Sequence, residues 1–216
     1  ERQLDFLSRY FPPVYISEIE GIRSASHGGE AKGWFIACPF TPSVMMSLPV
    51  EAVYRKIVRC GEMAEKLGAG IIGLGAYTSV VGDGGSTIAD RLGIPVTNGN
   101  AYTIFVAMQA IRKAAEVMGI KMSEASAAVV GATGSIGRVC SEMLSEEASE
   151  LVLVGRNPDP VEEIADRCRG KRASIKAGCD VSAIYSSELI ITVTSQVSSV
   201  VEPEHLRPGS VVLDVA

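Results

Sequence analysis

The stretch AAVVGATGSIGRVC, residues 127–140, constrains the fold of this chain more than any other. A run of small apolar residues ends at Gly131, and two further glycines follow at three-residue spacing, Gly134 and Gly137. The apolar run predicts a buried strand, and the pattern after the turn predicts a helix over 135–147. Gly131 permits a sharp turn, and Gly137 lets the helix approach the strand closely. The sequence therefore predicts the strand, turn and helix that open a dinucleotide-binding fold.

A turn of this kind is suited to hold a pyrophosphate. The first N–H groups of the helix have no intrahelical partner, and the helix dipole adds partial positive charge there. Small residues in the turn let the backbone come close to the phosphates. We therefore predict that the turn and the start of the helix bind the cofactor, through Gly131, Ala132, Thr133, Gly134, Ser135, Ile136 and Gly137.

The end of the second strand indicates which dinucleotide binds. An NAD-binding fold usually carries Asp or Glu there to hold the ribose 2′-hydroxyl. Here the strand ends LVLVGRN, with Gly155 in place of the carboxylate, followed by Arg156 and Asn157. A guanidinium matches a 2′-phosphate, so the sequence favours NADP over NAD. The strand over 189–195 ends in TVTSQ, residues 192–196, where the chain enters a loop. We expect Thr194 and Ser195 of this stretch to lie beneath the nicotinamide ring.

The rest of the chain predicts an α/β protein with two domains. Residues 1–119 are predicted as a small α/β domain with a linking helix, and residues 120–216 as a Rossmann-type, doubly wound parallel sheet. Apolar strands that alternate with helices indicate a sheet covered on both faces. The linking helix over 100–119 is apolar on most faces, so we expect it to be buried between layers. Five strands are predicted where six are usual, so we expect the fold to continue beyond residue 216.

The first domain is predicted to begin with a hairpin, from strands over 14–25 and 34–40 with turn residues between them. An amphipathic helix over 50–68 and a short apolar strand over 70–76 follow.

Composition excludes several classes of function. The net charge of −5 and the lack of a basic stripe argue against a nucleic-acid partner. No apolar run is long enough to span a membrane. The five cysteines are odd in number and share no CxxC spacing, and the two histidines lie far apart, which argues against a metal site. Free thiols are typical of a reducing cytosol, so we expect a cytoplasmic protein. The sequence does not determine the oligomeric state, and a homo-oligomer is one of the possibilities.

Several motifs in the same order resemble the long-chain acyl-(acyl-carrier-protein) reductase family, which forms fatty aldehydes. The likeness covers roughly residues 14–216. It rests on EIEGIRSASHGGEAKGWFIACPFTPSVM, on GIIGLGAYTSVVGDGG, on VTNGNAYT with Thr97, Gly99, Asn100 and Thr103, on VVGATGSIGRVC and on GRN.

The resemblance implies NADPH-dependent reduction of a fatty acyl thioester, carried by acyl-carrier protein or coenzyme A, to an aldehyde. It also implies a cysteine that accepts the acyl group, located after the last strand and beyond Ala216. Cys38 matches a cysteine of the family's hairpin and is the candidate within the chain, although no Lys, Arg or His adjoins it in sequence. Thr78, Ser79 and Asn100 fall in motif loops, where we expect them to polarise the thioester carbonyl at a cleft between the domains.

A shikimate dehydrogenase-like enzyme that acts on a small hydroxy or keto substrate is the alternative, because it shares the two-domain organisation. Its mechanism requires a Lys and an Asp beside the substrate hydroxyl. The matching positions here read VMM after the loop 39–43, and Asn98, Gly99 and Asn100. A third interpretation is a regulatory module that binds NADP without turnover.

Overall fold

A computed structural model describes residue 5, residues 7–194 and residues 200–215. Contacts divide the chain into two units, Glu1–Gly99 and Asn100–Ala216. The linking helix, predicted as part of the first domain, belongs by its contacts to the second unit. Ser195, one of the predicted cofactor residues, lies outside the described residues.

The first unit opens with the predicted hairpin. Strands β1 (Val14–Arg23) and β2 (Glu30–Ala37) pair antiparallel, with Val14 opposite Ala37. Ser24 donates its N–H to the carbonyl of Gly29 at 2.8 Å, which closes the turn. The second strand begins and ends earlier than predicted because the turn is shorter than the polar stretch 26–33 suggests.

The core of the first unit forms around one face of a helix. That helix, α2 (Val50–Lys66), buries Val53, Ile57 and Cys60 and was predicted over 50–68. The remaining elements are short, and they are α1 (Pro42–Ser47), β3 (Ile72–Gly73), a 3-10 turn (Ala76–Ser79), α3 (Ser86–Ala89) and β4 (Val96–Thr97). The strand predicted over 70–76 shrinks to two residues, paired in parallel with β4. Glycines on both sides of the pair give it few side chains to pack.

The second unit contains a five-stranded parallel sheet in the order β7-β6-β5-β8-β9. Its strands are β5 (Ser126–Val130), β6 (Glu150–Val154), β7 (Ser174–Gly178), β8 (Leu189–Thr192) and β9 (Val211–Asp214). The order reverses at β5, the strand that precedes the glycine turn. The α/β class and the doubly wound Rossmann-type sheet predicted from the sequence are therefore confirmed.

The two faces of this sheet are covered differently. One face packs against three helices, α4 (Asn100–Val117), α5 (Ser135–Glu147) and α6 (Pro158–Cys168). The other face is covered by two 3-10 turns, Val181–Ser186 and Pro203–His205, and by apolar residues near them. Strands buried on both faces need apolar residues throughout, which explains the continuous apolar runs of β5, β6 and β8.

The linking helix α4 was expected to be buried between layers, but it buries only one of its sides. It buries a stripe of small and apolar side chains, Ala107, Met108, Ile111 and Ala115, against the second core. Tyr102, which is 74% exposed, and Phe105, which is 54% exposed, point away from that core. Composition alone indicated burial, whereas only the residues spaced three and four apart along one stripe face the sheet.

Candidate cofactor site

The glycine turn follows β5 in the conformation that its first glycine requires. Gly131 has a φ of 89°, in the left-handed region. Its N–H and that of Ala132 donate to the carbonyl of Val154, at 2.8 and 3.1 Å. A Cβ at Gly131 would lie 2.2 Å from the carbonyl oxygen of Val193. Only glycine fits where three strands end this close together.

Gly137 lets the first turn of α5 rest directly on the end of β5. A Cβ at Gly137 would lie 2.2 Å from the carbonyl oxygen of Gly131 and 3.0 Å from its carbon. Both atoms belong to the backbone and cannot rotate away. Any side chain at position 137 would therefore push the helix off the strand. The sequence predicts this close packing of helix on strand from the same glycine.

The start of α5 leaves backbone donors available to an anion. Gly134 is the N-cap, and it offers no side-chain hydrogen bond to the helix. Arg138 donates its N–H to the carbonyl of Gly134 at 2.9 Å, so the helical ladder begins there. The N–H groups of Ser135, Ile136 and Gly137 precede that ladder, and the helix dipole adds positive charge at the same end. These groups fit a dinucleotide pyrophosphate.

A cleft of about 300 Å³ lies at the carboxyl ends of β5, β6 and β8. Six of the predicted residues line it, namely Gly131, Thr133, Gly134, Gly155, Arg156 and Thr194. Ala132 and Gly137 are buried beneath the turn, Ile136 packs on the core, and Ser135 and Asn157 are exposed beside the cleft. The cleft is at the point where strand order reverses, which is where open α/β sheets bind ligands.

Sequence reasoning missed part of the cleft wall. The additional lining residues are Val130, Val154, Cys179, Val181, Val193 and Val200. Most of them stand at or just after the carboxyl end of a strand. The carboxyl ends of parallel strands share one edge of the sheet, so these residues come together only through the strand order that the structure shows.

The end of β6 carries the features expected for a 2′-phosphate. The packing at Gly155 leaves no room for a side chain, since a Cβ there would lie 2.5 Å from the side chain of Val161 in α6. Arg156 is exposed, and within the described part of the chain no carboxylate forms an ion pair with it. None of the described residues that line the cleft is acidic. The guanidinium is therefore available to an anionic ligand.

The predicted catalytic hydroxyls of the first unit are engaged within their own turn. Thr78 donates to the carbonyl of Gly75 at 2.6 Å, and Ser79 donates to that of Ala76 at 2.7 Å. Ala76 itself has a φ of 48°, which is uncommon for a residue other than glycine. In this conformation both hydroxyl protons are used in hydrogen bonds within the turn.

The glycines of the loop that follows serve as turns. Gly82, Gly84 and Gly85 all have positive φ. The hydroxyl of Tyr54 accepts the N–H of Asp83 at 3.1 Å and holds the loop against α2.

Asn100, the fourth predicted catalytic residue, contacts the cofactor turn. Its side-chain amide donates to the hydroxyl of Ser135 at 2.9 Å. The contact joins the first residue of α4 to the first residue of α5 within the second unit. Asn100 is thus placed to fix the start of the phosphate-binding helix.

Cys38 has polar neighbours that its sequence context does not reveal. It follows β2 and is half-buried. A hydrogen bond from the Cys60 thiol, the backbone N–H of Phe40 and the charge of Lys56 together lower the pKa of Cys38 to about 7, against the opposing effect of burial. The same contact and burial raise the pKa of Cys60. No positively charged residue adjoins Cys38 in sequence, and the positive charge comes instead from Lys56 of α2.

The buried cysteines of the second unit are suited to packing. Burial raises the pKa of Cys140 to about 11, and it is also the main cause that raises the pKa of Cys168. A thiol with a raised pKa is a poor nucleophile at neutral pH.

Comparisons with known proteins agree with this fold. The family model described as shikimate / quinate 5-dehydrogenase matches residues 112–215, which lie in the second unit. The quinate dehydrogenase of Corynebacterium glutamicum, solved in complex with NAD, is 13% identical with a TM-score of 0.42, covering 59% of this chain and 46% of that one. The family-model match over residues 112–215, together with the five-stranded parallel sheet, agrees with the Rossmann-type fold predicted for the second unit.

Two curated relatives match most of this chain. The long-chain acyl-(acyl-carrier-protein) reductase of Synechococcus elongatus is 28% identical over 214 residues, which is 94% of this chain and 61% of that protein. The aminotransferase PigE of a Serratia species is 26% identical over 195 residues, covering 89% of this chain and 23% of that protein. The chain thus spans less than two thirds of the length of these relatives. No described helix is long and apolar enough to cross a membrane.

Proposed function

We propose that this chain binds NADPH in the cleft of its second unit and takes part in reducing a long-chain acyl thioester to the fatty aldehyde. The assignment of NADPH as the cofactor rests on one observation. The uncapped start of α5 lies beside Arg156, in a cleft whose described lining contains no carboxylate. The substrate class is supported by the similarity to the acyl-(acyl-carrier-protein) reductase along 94% of this chain.

The residues of the cleft have distinct roles in this proposal. The N–H groups at the start of α5 would hold the pyrophosphate, and Arg156 would pair with the 2′-phosphate. Thr194 lines the cleft and would lie beside the nicotinamide. When bound, NADPH supplies the hydride that turns the acyl carbonyl into an aldehyde. The overall reaction consumes the acyl thioester, NADPH and one proton, and it releases the aldehyde, the free carrier thiol and NADP⁺.

Among the described residues, we propose Cys38 as the thiol that accepts the acyl group. Transfer to it would form a new thioester and release the carrier thiol. Its lowered pKa makes the thiolate available near neutral pH.

A dehydrogenase of the shikimate type is the second candidate, because the family model matches residues 112–215. The first unit argues against it. At the positions matched to the family's lysine the chain has Val44 and Met45, which are 2% and 4% exposed and belong to the core. Neither side chain can take a proton from a substrate hydroxyl.

The reaction is tested with the 216-residue chain, NADPH and a long-chain acyl thioester on either carrier. We expect a fatty aldehyde, detected by gas chromatography, and no NADPH formation from NADP⁺ with shikimate or quinate. Oxidation of the hydroxy acids without any aldehyde from a thioester would promote the dehydrogenase.

The acyl acceptor is tested without NADPH. Incubation with acyl thioester should add one acyl group to the chain, visible by mass spectrometry, and Cys38→Ser should abolish it. An adduct that persists in Cys38→Ser, or that never forms in the parent chain, would exclude Cys38 as the acceptor.

A further inference from the structure

The first unit contains a basic cleft of about 250 Å³ that shares no lining residue with the cofactor cleft. Its described lining consists of cations and apolar residues, with no acidic residue among them. The cations are Arg9, Arg55, Lys56 and Arg59, and the apolar residues are Phe40, Leu48 and Ala52. The chain as a whole has a net charge of −5, so this cluster does not reflect a generally basic surface.

Lys56 supplies a buried charge to the cleft. The residue is 8% exposed, and its ammonium donates to the carbonyl of Arg9 at 3.2 Å and to that of Phe11 at 2.5 Å. The ammonium also stands 4.6 Å from the centre of the Phe40 ring. Among the described residues no carboxylate pairs with it. The two carbonyls therefore fix the position of the ammonium, and its positive charge is not neutralised.

The arginines of the cleft are likewise poorly matched by carboxylates. Arg55 and Arg59 are exposed and lie one turn apart on α2. Arg55 lies 3.9 Å from Glu51, whose two carboxylate oxygens already accept from Arg91 at 2.7 and 3.0 Å. Within the described part of the chain no carboxylate forms an ion pair with Arg9 or Arg59. Like charges one turn apart on a helix repel each other, so a bound anion would relieve this repulsion.

The charge and size of the cleft favour a small phosphate as that anion. A carboxylate carries a single negative charge, whereas a phosphate monoester carries about −1.5 to −2 near neutral pH and is a better match for several cations. A planar guanidinium can also donate to two phosphate oxygens at once. The volume lies below the usual range of about 300–1,000 Å³ for ligand pockets, which suits a small molecule rather than a dinucleotide.

We propose that this cleft binds a small organic phosphate, whose phosphate group pairs with Arg9, Arg55 and Arg59 beside the charge of Lys56. The apolar part of the lining contacts the organic group of the ligand. The site goes beyond the proposed reductase function, because its occupation needs neither NADPH nor an acyl thioester.

The test maps the arginines that inorganic pyrophosphate protects from phenylglyoxal, a reagent that modifies accessible guanidiniums. The 216-residue chain is treated with and without pyrophosphate at one ionic strength, adjusted with sodium chloride, and the modified arginines are identified by mass spectrometry. We expect protection of Arg9, Arg55 and Arg59. Arg23 is the reference within the same chain, since it is exposed on β1 and lies outside the cleft. Protection of Arg156 reports separately on the cofactor cleft.

A pair of variants tests the affinity at this site. Arg59→Gln removes one guanidinium and leaves Lys56, which contributes to the pKa of Cys38, in place. The pyrophosphate concentration that half-protects Arg55 should rise roughly 10- to 100-fold in Arg59→Gln, as expected when a hydrogen bond to a charged group is lost. Arg23→Gln removes the same charge from the same unit and should leave that concentration unchanged.

The proposal is overturned if the cleft arginines are not protected, or if Arg23 is protected to the same extent. It is also overturned if Arg55 is half-protected at the same pyrophosphate concentration in Arg59→Gln as in the parent chain. The footprint of the parent chain needs no substitution, so its outcome holds even if a variant fails to fold.

Discussion

Adding one methyl group to Gly137 provides a sharp test of the site geometry. The Cβ of Gly137→Ala would lie 2.2 Å from the carbonyl oxygen of Gly131 and 3.1 Å from the Cα of Ala132. These are backbone atoms at the end of a central strand, so the clash is relieved only if the first turn of α5 moves outward. That helix contributes Cys140 and Leu144, both fully buried, to the core of the second unit.

The size of the effect follows from two opposing contributions. Forcing an extra methyl group into a packed site costs about 1–3 kcal/mol, and partial withdrawal of α5 from the core puts this case at the upper end. Replacing a helical glycine by alanine stabilises a helix by about 1 kcal/mol. We therefore expect Gly137→Ala to lower the free energy of unfolding by about 2 kcal/mol, which is a fall in Tm of about 4–8 °C for a chain of this size.

Gly134 is the matched control, because it belongs to the same turn. Its φ of −70° and ψ of 164° suit any residue, and a Cβ there meets only the Gly131 carbonyl oxygen, at 3.4 Å. Gly134→Ala should cost less than about 1 kcal/mol, the usual scale of an N-cap change. Gly134→Val should also fold, but its branched side chain would occupy the space that the pyrophosphate must approach.

The assay is urea and thermal unfolding followed by circular dichroism, with and without NADPH. At a hundredfold excess over Kd, a ligand that binds only the folded state stabilises it by about 2.7 kcal/mol. The parent protein should gain this stability, and Gly134→Val should gain none. The reasoning is refuted if Gly137→Ala is as stable as the parent, or if Gly134→Ala loses as much stability as Gly137→Ala. A Gly134→Val protein that still gained stability with NADPH would place the phosphates elsewhere.

Three further predictions concern single side chains. Arg156→Ala should weaken NADPH binding by roughly 10- to 100-fold in calorimetry and leave NADH binding nearly unchanged, since a hydrogen bond to a charged group contributes about 1.5–3 kcal/mol; equal affinity of the parent for both cofactors would contradict this. Because the Cys60 hydrogen bond, the Phe40 N–H and Lys56 lower the pKa of Cys38 to about 7, its alkylation by iodoacetamide should rise with pH around a midpoint near 7, and Cys60→Ala should move that midpoint upward. Arg112 donates to both carboxylate oxygens of Glu147 at 2.9 and 2.5 Å, so Arg112→Ala should lower the free energy of unfolding by about 1 kcal/mol or less at low salt, with a smaller loss at 1 M salt.

The cofactor turn was predictable because its determinants are local in sequence. The strand, the turn and the first part of the helix fall within 14 consecutive positions, residues 127–140. Gly131 needs a positive φ, and Gly137 needs space beside the Gly131 carbonyl. The parallel sheet was predictable for a related reason, since strands covered on both faces must be apolar throughout.

The rest of the cleft wall could not be predicted, because its position depends on the order of the strands in the sheet. Cys179 and Val193 line the same wall although they belong to connections after different strands. Cys179 follows β7 and Val193 follows β8, so the two meet only because the sheet has the order β7-β6-β5-β8. The residues that shape the wall are small or apolar, and such residues have no distinct sequence signal outside a known fold.

Tertiary structure alone decided the chemistry around Cys38 and the surroundings of the linking helix. Lys56 and Cys60 are separated from Cys38 by α1 and the first part of α2, so no local pattern relates them. Likewise, the composition of α4 indicated burial, but packing selected one stripe and left Tyr102 and Phe105 exposed. The sequence by itself determined the backbone conformations that local sterics enforce. Contacts between side chains distant in the chain followed from packing, because the free energy of burial depends on which surfaces meet.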